Sequence, residues 1–105
     1  MAISITNANY TQEVAQASKP VVIDVYASWC GPCQMMAPIF EDLEKEMGAY
    51  KFAKLNVDEA RELSIKFGVT SVPTFLFIKK GEVVGRETGY MDREDLKDAI
   101  VKYLG

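Results

Sequence analysis

The 105-residue chain predicts a single α/β domain spanning residues 1–105: a central mixed sheet of five strands, flanked by four helices on both faces. Three observations carry this. Val21-Val22-Ile23-Asp24-Val25-Tyr26 is β-branched and almost unbroken in apolarity, as a strand covered on both sides reads. Segments with apolar residues at three- and four-residue spacing alternate with such β-rich runs. Near the end, Lys80-Gly81-Glu82 separates two β-rich segments and signals an antiparallel hairpin before a last helix.

The elements follow in order. Ile3-Ser4-Ile5 is a short strand. Asn9 is expected to cap a first helix, with Gln12 completing a capping box. After the Val21–Tyr26 strand, a longer helix runs from about Pro32 to Met47. Met36, Ile39, Phe40, Leu43 and Met47 form one apolar stripe along it. Pro32 suits the first turn, Pro38 lies inside and should kink the helix, and Gly48 can stop it. Met35, Met36 and Met47 read as core or near-core filler rather than as a binding patch. Phe52 to Val57 is a third strand, and Asp58 can cap a short helix ending near Gly68. Thr74 to Ile78 pairs across the turn with Val83 to Thr88. Asp92 caps the final helix, whose inner face carries Leu96, Ile100 and Leu104.

Composition narrows the chemistry. The chain is 49% hydrophobic and 26% charged, with a net charge of −3, and its acidic and basic residues are interleaved. With no Lys/Arg cluster to follow a phosphate backbone, nucleic acid is not an expected partner. No apolar stretch approaches the ~20 residues of a membrane helix, so no membrane association is expected either. Met1-Ala2-Ile3-Ser4 opens neither a basic nor a long apolar segment; the expectation is a cytoplasmic protein, or one whose leader precedes this numbering. Two cysteines and no histidine rule out Cys-His and Ser-His-Asp catalysis and His-containing zinc sites.

The chemistry concentrates in Trp29-Cys30-Gly31-Pro32-Cys33, where the second strand hands over to the second helix. Two cysteines at this spacing can close a disulfide. The free N–H groups and positive end of the helix dipole favour a thiolate, the reactive form. Cys30, just before the helix, is expected to be more exposed and to attack; Cys33, inside the first turn, to resolve. Other readings of a lone C-x-x-C stay open. A zinc site needs four ligands, and no metal is expected from two cysteines. A purely structural disulfide would close a very short loop and restrict the unfolded chain little. The strand-to-helix setting, with no other Cys or His, favours redox chemistry. Asp24 interrupts an otherwise apolar strand; burial should raise its pKa towards neutrality.

At these residues the chain resembles the thioredoxin family, whose active-site sequence is Trp-Cys-Gly-Pro-Cys. The likeness covers essentially the whole chain. Asp24 lies six residues before the first cysteine and Pro38 five after the second; Lys54-Leu55-Asn56-Val57-Asp58 resembles the family's third strand, Val72-Pro73-Thr74 its cis-proline loop, and Gly81 and Gly89 the glycines of its terminal hairpin. The thioredoxin fold is therefore implied. Thioredoxin is itself a standard example of a lowered C-x-x-C thiol pKa, so that property comes with the resemblance.

The resemblance further implies that Asp24 accepts the proton of Cys33. Lys54 reads equally as the charge neighbour of Asp24 or as a solvated strand end. Trp29, Gly31, Pro32, Val72, Pro73 and Gly89 would form an apolar docking surface, with the backbone of Val72 pairing to an extended substrate segment. The implied activity is reduction of protein disulfides through a redox-active Cys30–Cys33 pair, with no bound cofactor. Electrons would come from NADPH through a separate thioredoxin reductase, because the chain has no nucleotide-binding signature of its own. A monomer is the family's default. Tyr26, Gln34 and Tyr90 depart from common family residues, and none is expected to touch the cysteines.

Two rival readings fit the same residues. The first is a disulfide oxidase or isomerase on the same fold. Oxidising relatives often carry His between the cysteines, and Gly31-Pro32 argues against that direction. The second is a non-catalytic binding module, which intact cysteines weaken.

Overall fold

The computed structural model describes residues 2–105; Met1, read above with the N-terminal segment, lies outside them. Along the chain come β1 (Ile3–Ser4), α1 (Thr11–Ala15, a short π-helical turn), β2 (Val21–Tyr26), α2 (Gly31–Glu46) and β3 (Lys51–Asn56). They are followed by α3 (Arg61–Lys66), β4 (Thr74–Lys79), β5 (Glu82–Thr88) and α4 (Arg93–Leu104). The strands lie in the order β1-β3-β2-β4-β5. β1, β3 and β2 run parallel, and β4 and β5 are antiparallel to their neighbours, giving the mixed sheet expected.

β2 occupies the middle, and its two faces explain its composition. Val22 packs with Phe52, Phe75 and Phe77 under α2 and α4, which contribute Met36, Phe40, Leu43, Leu96 and Ile100. Val21, Ile23 and Val25 pack with Leu55, Leu76 and Ile78 under α1 and α3, through Val14 and Leu63. Each fully buried side chain of this size contributes about 1.5–3 kcal/mol of transfer free energy. Side chains alternate along a strand, so Asp24 shares the face of Val22 and lies on the α2 side. That parity places a carboxylate beneath the helix that carries the cysteines. Among the described residues, no helix is long and apolar enough to cross a membrane.

Several local expectations hold. Asp92 accepts the N–H of Asp95 at 2.8 Å and caps α4. Lys80 and Gly81 both take positive φ (52° and 80°), as a two-residue type I′ hairpin loop requires. α3 ends in a Schellman motif: Gly68 (φ 67°) donates to Ile65 O and Val69 to Ser64 O, satisfying carbonyls the helix leaves free.

Others need correction. The capping box lies three residues earlier than expected. Thr6 Oγ1 accepts from Asn9 N–H and Asn9 Oδ1 accepts from Thr6 N–H, so Asn9 is the second member of the box and Gln12 takes no part. Asp58 does not cap α3, whose N-cap is Ala60 with no side-chain bond; the Asp58 carboxylate is drawn to Trp29 instead. Met35 is 61% exposed, because it sits a third of a turn from buried Met36. Gly48 is not left-handed; α2 breaks at Met47, whose side chain turns into the core.

Candidate functional site

β2 ends at Tyr26, and the chain crosses Ala27–Trp29 to enter α2 through Cys30. Cys30 has extended backbone (φ −92°, ψ 116°), and its Sγ accepts the N–H of Cys33 at 3.2 Å. A sulfur thus stands where a Ser or Asp oxygen commonly caps a helix, facing the free N–H groups and the positive dipole end. Pro32 occupies the first turn, where no N–H is needed. Cys30 and Cys33 are joined as a disulfide with Cα atoms 5.2 Å apart. Exposure barely separates them, at 6% and 4%, so the expected difference in accessibility is small.

Their surroundings separate them better. Cys30 Sγ lies 3.8 Å from the carbonyl oxygen of Val72. The Val72–Pro73 peptide is cis, and Pro73 O accepts the N–H of Gly89 at 2.8 Å. Gly89 has φ 101°, a conformation that favours glycine. Three segments distant in sequence therefore meet beside Cys30. Cys33 instead lines a pocket of about 110 Å³ with Asp24, Lys54, Tyr26, Ala37, Phe40 and Glu41.

Asp24 is 5% exposed, and its Oδ1 is buried with no hydrogen-bond partner among the described residues. Burial pushes its pKa up to about 7, and the nearby Lys54 ammonium pulls the other way. β2 and β3 pair Asp24 directly with Lys54, which is half-buried.

Of the residues expected to form a docking surface, Trp29 is 71% exposed, Gly31 and Pro32 are exposed, and Val72 and Gly89 are half-buried. Pro73 is buried, and so shapes the loop from beneath rather than offering a face. The Trp29 indole N–H donates to Asp58 Oδ2 at 3.1 Å, fixing the ring at the rim of an apolar groove of about 390 Å³ that also includes Val57, Val69 and Val72. Gln34 ties the preceding loop by donating to Ser28 O, and Tyr90 is exposed. Tyr26 is closer to the chemistry than expected: it packs against the cluster of Ala27, Cys30 and Cys33 and walls the Asp24 pocket.

Three residues of the site were missed in the sequence. Ala37 and Glu41 follow Cys33 at i+4 and i+8, a spacing that puts all three on one helix face and could have found them. Asp58 reads in the sequence as a helix cap, and no local signal points it at Trp29. Among the described residues, no group of three or more metal-ligating side chains comes together.

Comparison with known proteins agrees with this geometry. The thioredoxin family model matches residues 1–102. A thioredoxin of Listeria monocytogenes is 44% identical over 105 residues, covering 99% of this chain and 100% of its own. A thioredoxin of Bacillus subtilis is 46% identical over 92 residues, 86% of this chain and 88% of its own. Thioredoxin H4 of Arabidopsis thaliana is 50% identical over 91 residues, 86% of this chain and 76% of its own.

Proposed function

The chain belongs to the thioredoxin family, a family of disulfide oxidoreductases, and from that membership we propose that its Cys30–Cys33 pair reduces protein disulfides in two exchange steps with assigned roles. The Cys30 thiolate attacks one sulfur of the substrate. A Cys30–substrate bond forms, and the other substrate sulfur leaves as a thiolate that takes a proton from solvent. Cys33 then gives its proton to the Asp24 carboxylate and attacks Cys30 Sγ. The Cys30–Cys33 bond forms, the substrate leaves with the electron pair, and two electrons have passed from the protein to the substrate.

The observation that supports this division is the opposed setting of the two sulfurs. Cys30 caps α2 against the Val72 loop, whereas Cys33 opens on the pocket that holds Asp24. Lys54 keeps the Asp24 carboxylate accessible near neutrality. Trp29, Gly31, Pro32, Val72 and Gly89 form the docking face, and the Val72 backbone pairs with the substrate strand. In this reading residues 1–105 are one domain, acting as a monomer in the cytoplasm. Its partners are disulfide-containing proteins and a thioredoxin reductase that supplies electrons from NADPH.

The test is trapping. Cys33→Ser should accumulate mixed disulfides through Cys30, and Cys30→Ser should form none and be inactive. Failure to trap any partner would remove the two-step scheme. The reduction potential of the pair checks direction: about 30 mV corresponds to about 1.4 kcal/mol, so a clearly oxidising value would reassign the protein to making or shuffling disulfides.

A further inference from the structure

Asp24 takes up a proton in each cycle in the scheme above and must return it, yet its Oδ1 has no hydrogen-bonded route outward among the described residues. The pocket in front of it provides the route. Asp24 and Cys33 are buried in it, whereas Ala37 and Glu41 are exposed at its outer end and Lys54 is half-buried. Cys33, Ala37 and Glu41 share one face of α2, and helix side chains lean towards the N-terminus, so Glu41 leans back towards Cys33. A volume of about 110 Å³ with carboxylates at both ends has room and partners for more than one bridging water.

We propose that Glu41 is the outlet through which Asp24 exchanges its proton with solvent, and that the small side chain of Ala37 keeps the passage open. This rests on the reading of Asp24 as the base for Cys33.

Chemistry selects Glu41 among the groups that face Asp24. From β3, Lys54 as an ammonium has donors and no acceptor. From β2, Tyr26 is half-buried and walls the pocket, whereas Glu41 is exposed. From α2, Cys33 has no proton to exchange once the disulfide has formed. Among the described residues that line the pocket, Glu41 is the one exposed carboxylate. The proton passes from the Asp24 carboxyl, through water, to the Glu41 carboxylate and on to the solvent; on re-reduction it runs inward. Lys54 is the charged group that acts on Asp24, so Glu41 serves as a conduit rather than as a tuning charge.

The experiment is carbon-13 NMR of the Asp24 carboxyl in the oxidised protein, titrated through neutrality in weakly buffered solution, with line shapes giving the protonation exchange rate. Glu41→Gln should slow exchange about tenfold with an unchanged midpoint, and added imidazole should restore it. Ala37→Leu should also slow exchange, without rescue, because the blocked passage excludes the buffer. In Glu41→Gln, exchange as fast as in the parent, a slow rate that imidazole leaves unchanged, or a shifted midpoint at an unchanged rate would each overturn the outlet, as would parent-rate exchange in Ala37→Leu. Failure of the underlying reading looks different: Asp24→Asn would then resolve the mixed disulfide at the parent rate, whatever Glu41 does.

Discussion

Replacing Asp24 by Asn should stabilise the folded protein by about 4 kcal/mol above neutral pH and by close to nothing near pH 4. The carboxyl lies in the central strand at 5% exposure, with one oxygen unpartnered, so its charge is poorly solvated. Burial raises its pKa from 3.8 to about 7 despite the opposing pull of Lys54. At about 1.4 kcal/mol per unit, a rise of about three units corresponds to about 4 kcal/mol. The folded pKa lies above the unfolded one, so between them the folded state binds more protons. Stability therefore falls as pH rises from about 4 through about 7, and is level beyond. This is the reverse of a salt-bridged carboxylate. Asn has the same shape and no charge, so its contribution is independent of pH. The assay is urea unfolding of both oxidised proteins across this window, compared at equal m-value. Subtracting the two curves cancels every other titrating group. A difference that stays flat, or that shrinks as pH rises, would refute the argument that Asp24 is buried at the expense of its charge.

Two further predictions come from other parts of the fold. A Cβ on Gly85 would collide with Cδ1 of Tyr103, whose ring packs on Phe77 at 4.8 Å and whose hydroxyl donates to Glu87 at 2.8 Å. Gly85→Ala should displace that ring and cost about 1–3 kcal/mol in thermal unfolding, most of it disappearing in a Tyr103→Ala background. On the surface, hydrogen bonds from Lys97 and Arg93 hold Glu46 down to about 2. That contribution is present above the ordinary glutamate range and lost as pH falls towards 2. Glu46→Gln should therefore be less stable than the parent at pH 6, with the gap closing in acid and in high salt; a gap that neither acid nor salt narrows would argue against the ion-pair network.

Features whose physics is local can be read from the residues alone. Strand β2 was legible because burial on both faces demands unbroken apolarity, and Asp24 stood out against it. The Cys30–Cys33 spacing at a helix start, the Asp92 cap and the Lys80-Gly81 loop rest on contacts within a few residues. Even there, competition between nearby polar groups misled: Thr6 captured Asn9, and the box shifted. Tertiary structure decided what depends on register and on facing surfaces. Only the pairing of β2 with β3 puts Lys54 beside Asp24, and only the approach of the Val72 loop sets a carbonyl oxygen beside Cys30 Sγ. Only the docking of α2 over β2 turns Ala37 and Glu41 into the wall and mouth of a pocket. Asp58 was equally able to cap a helix or to hold an indole, and the choice fell to the position of Trp29, 29 residues away in the chain. Such partners carry no local signature, because they are set by distances between elements that no single segment encodes.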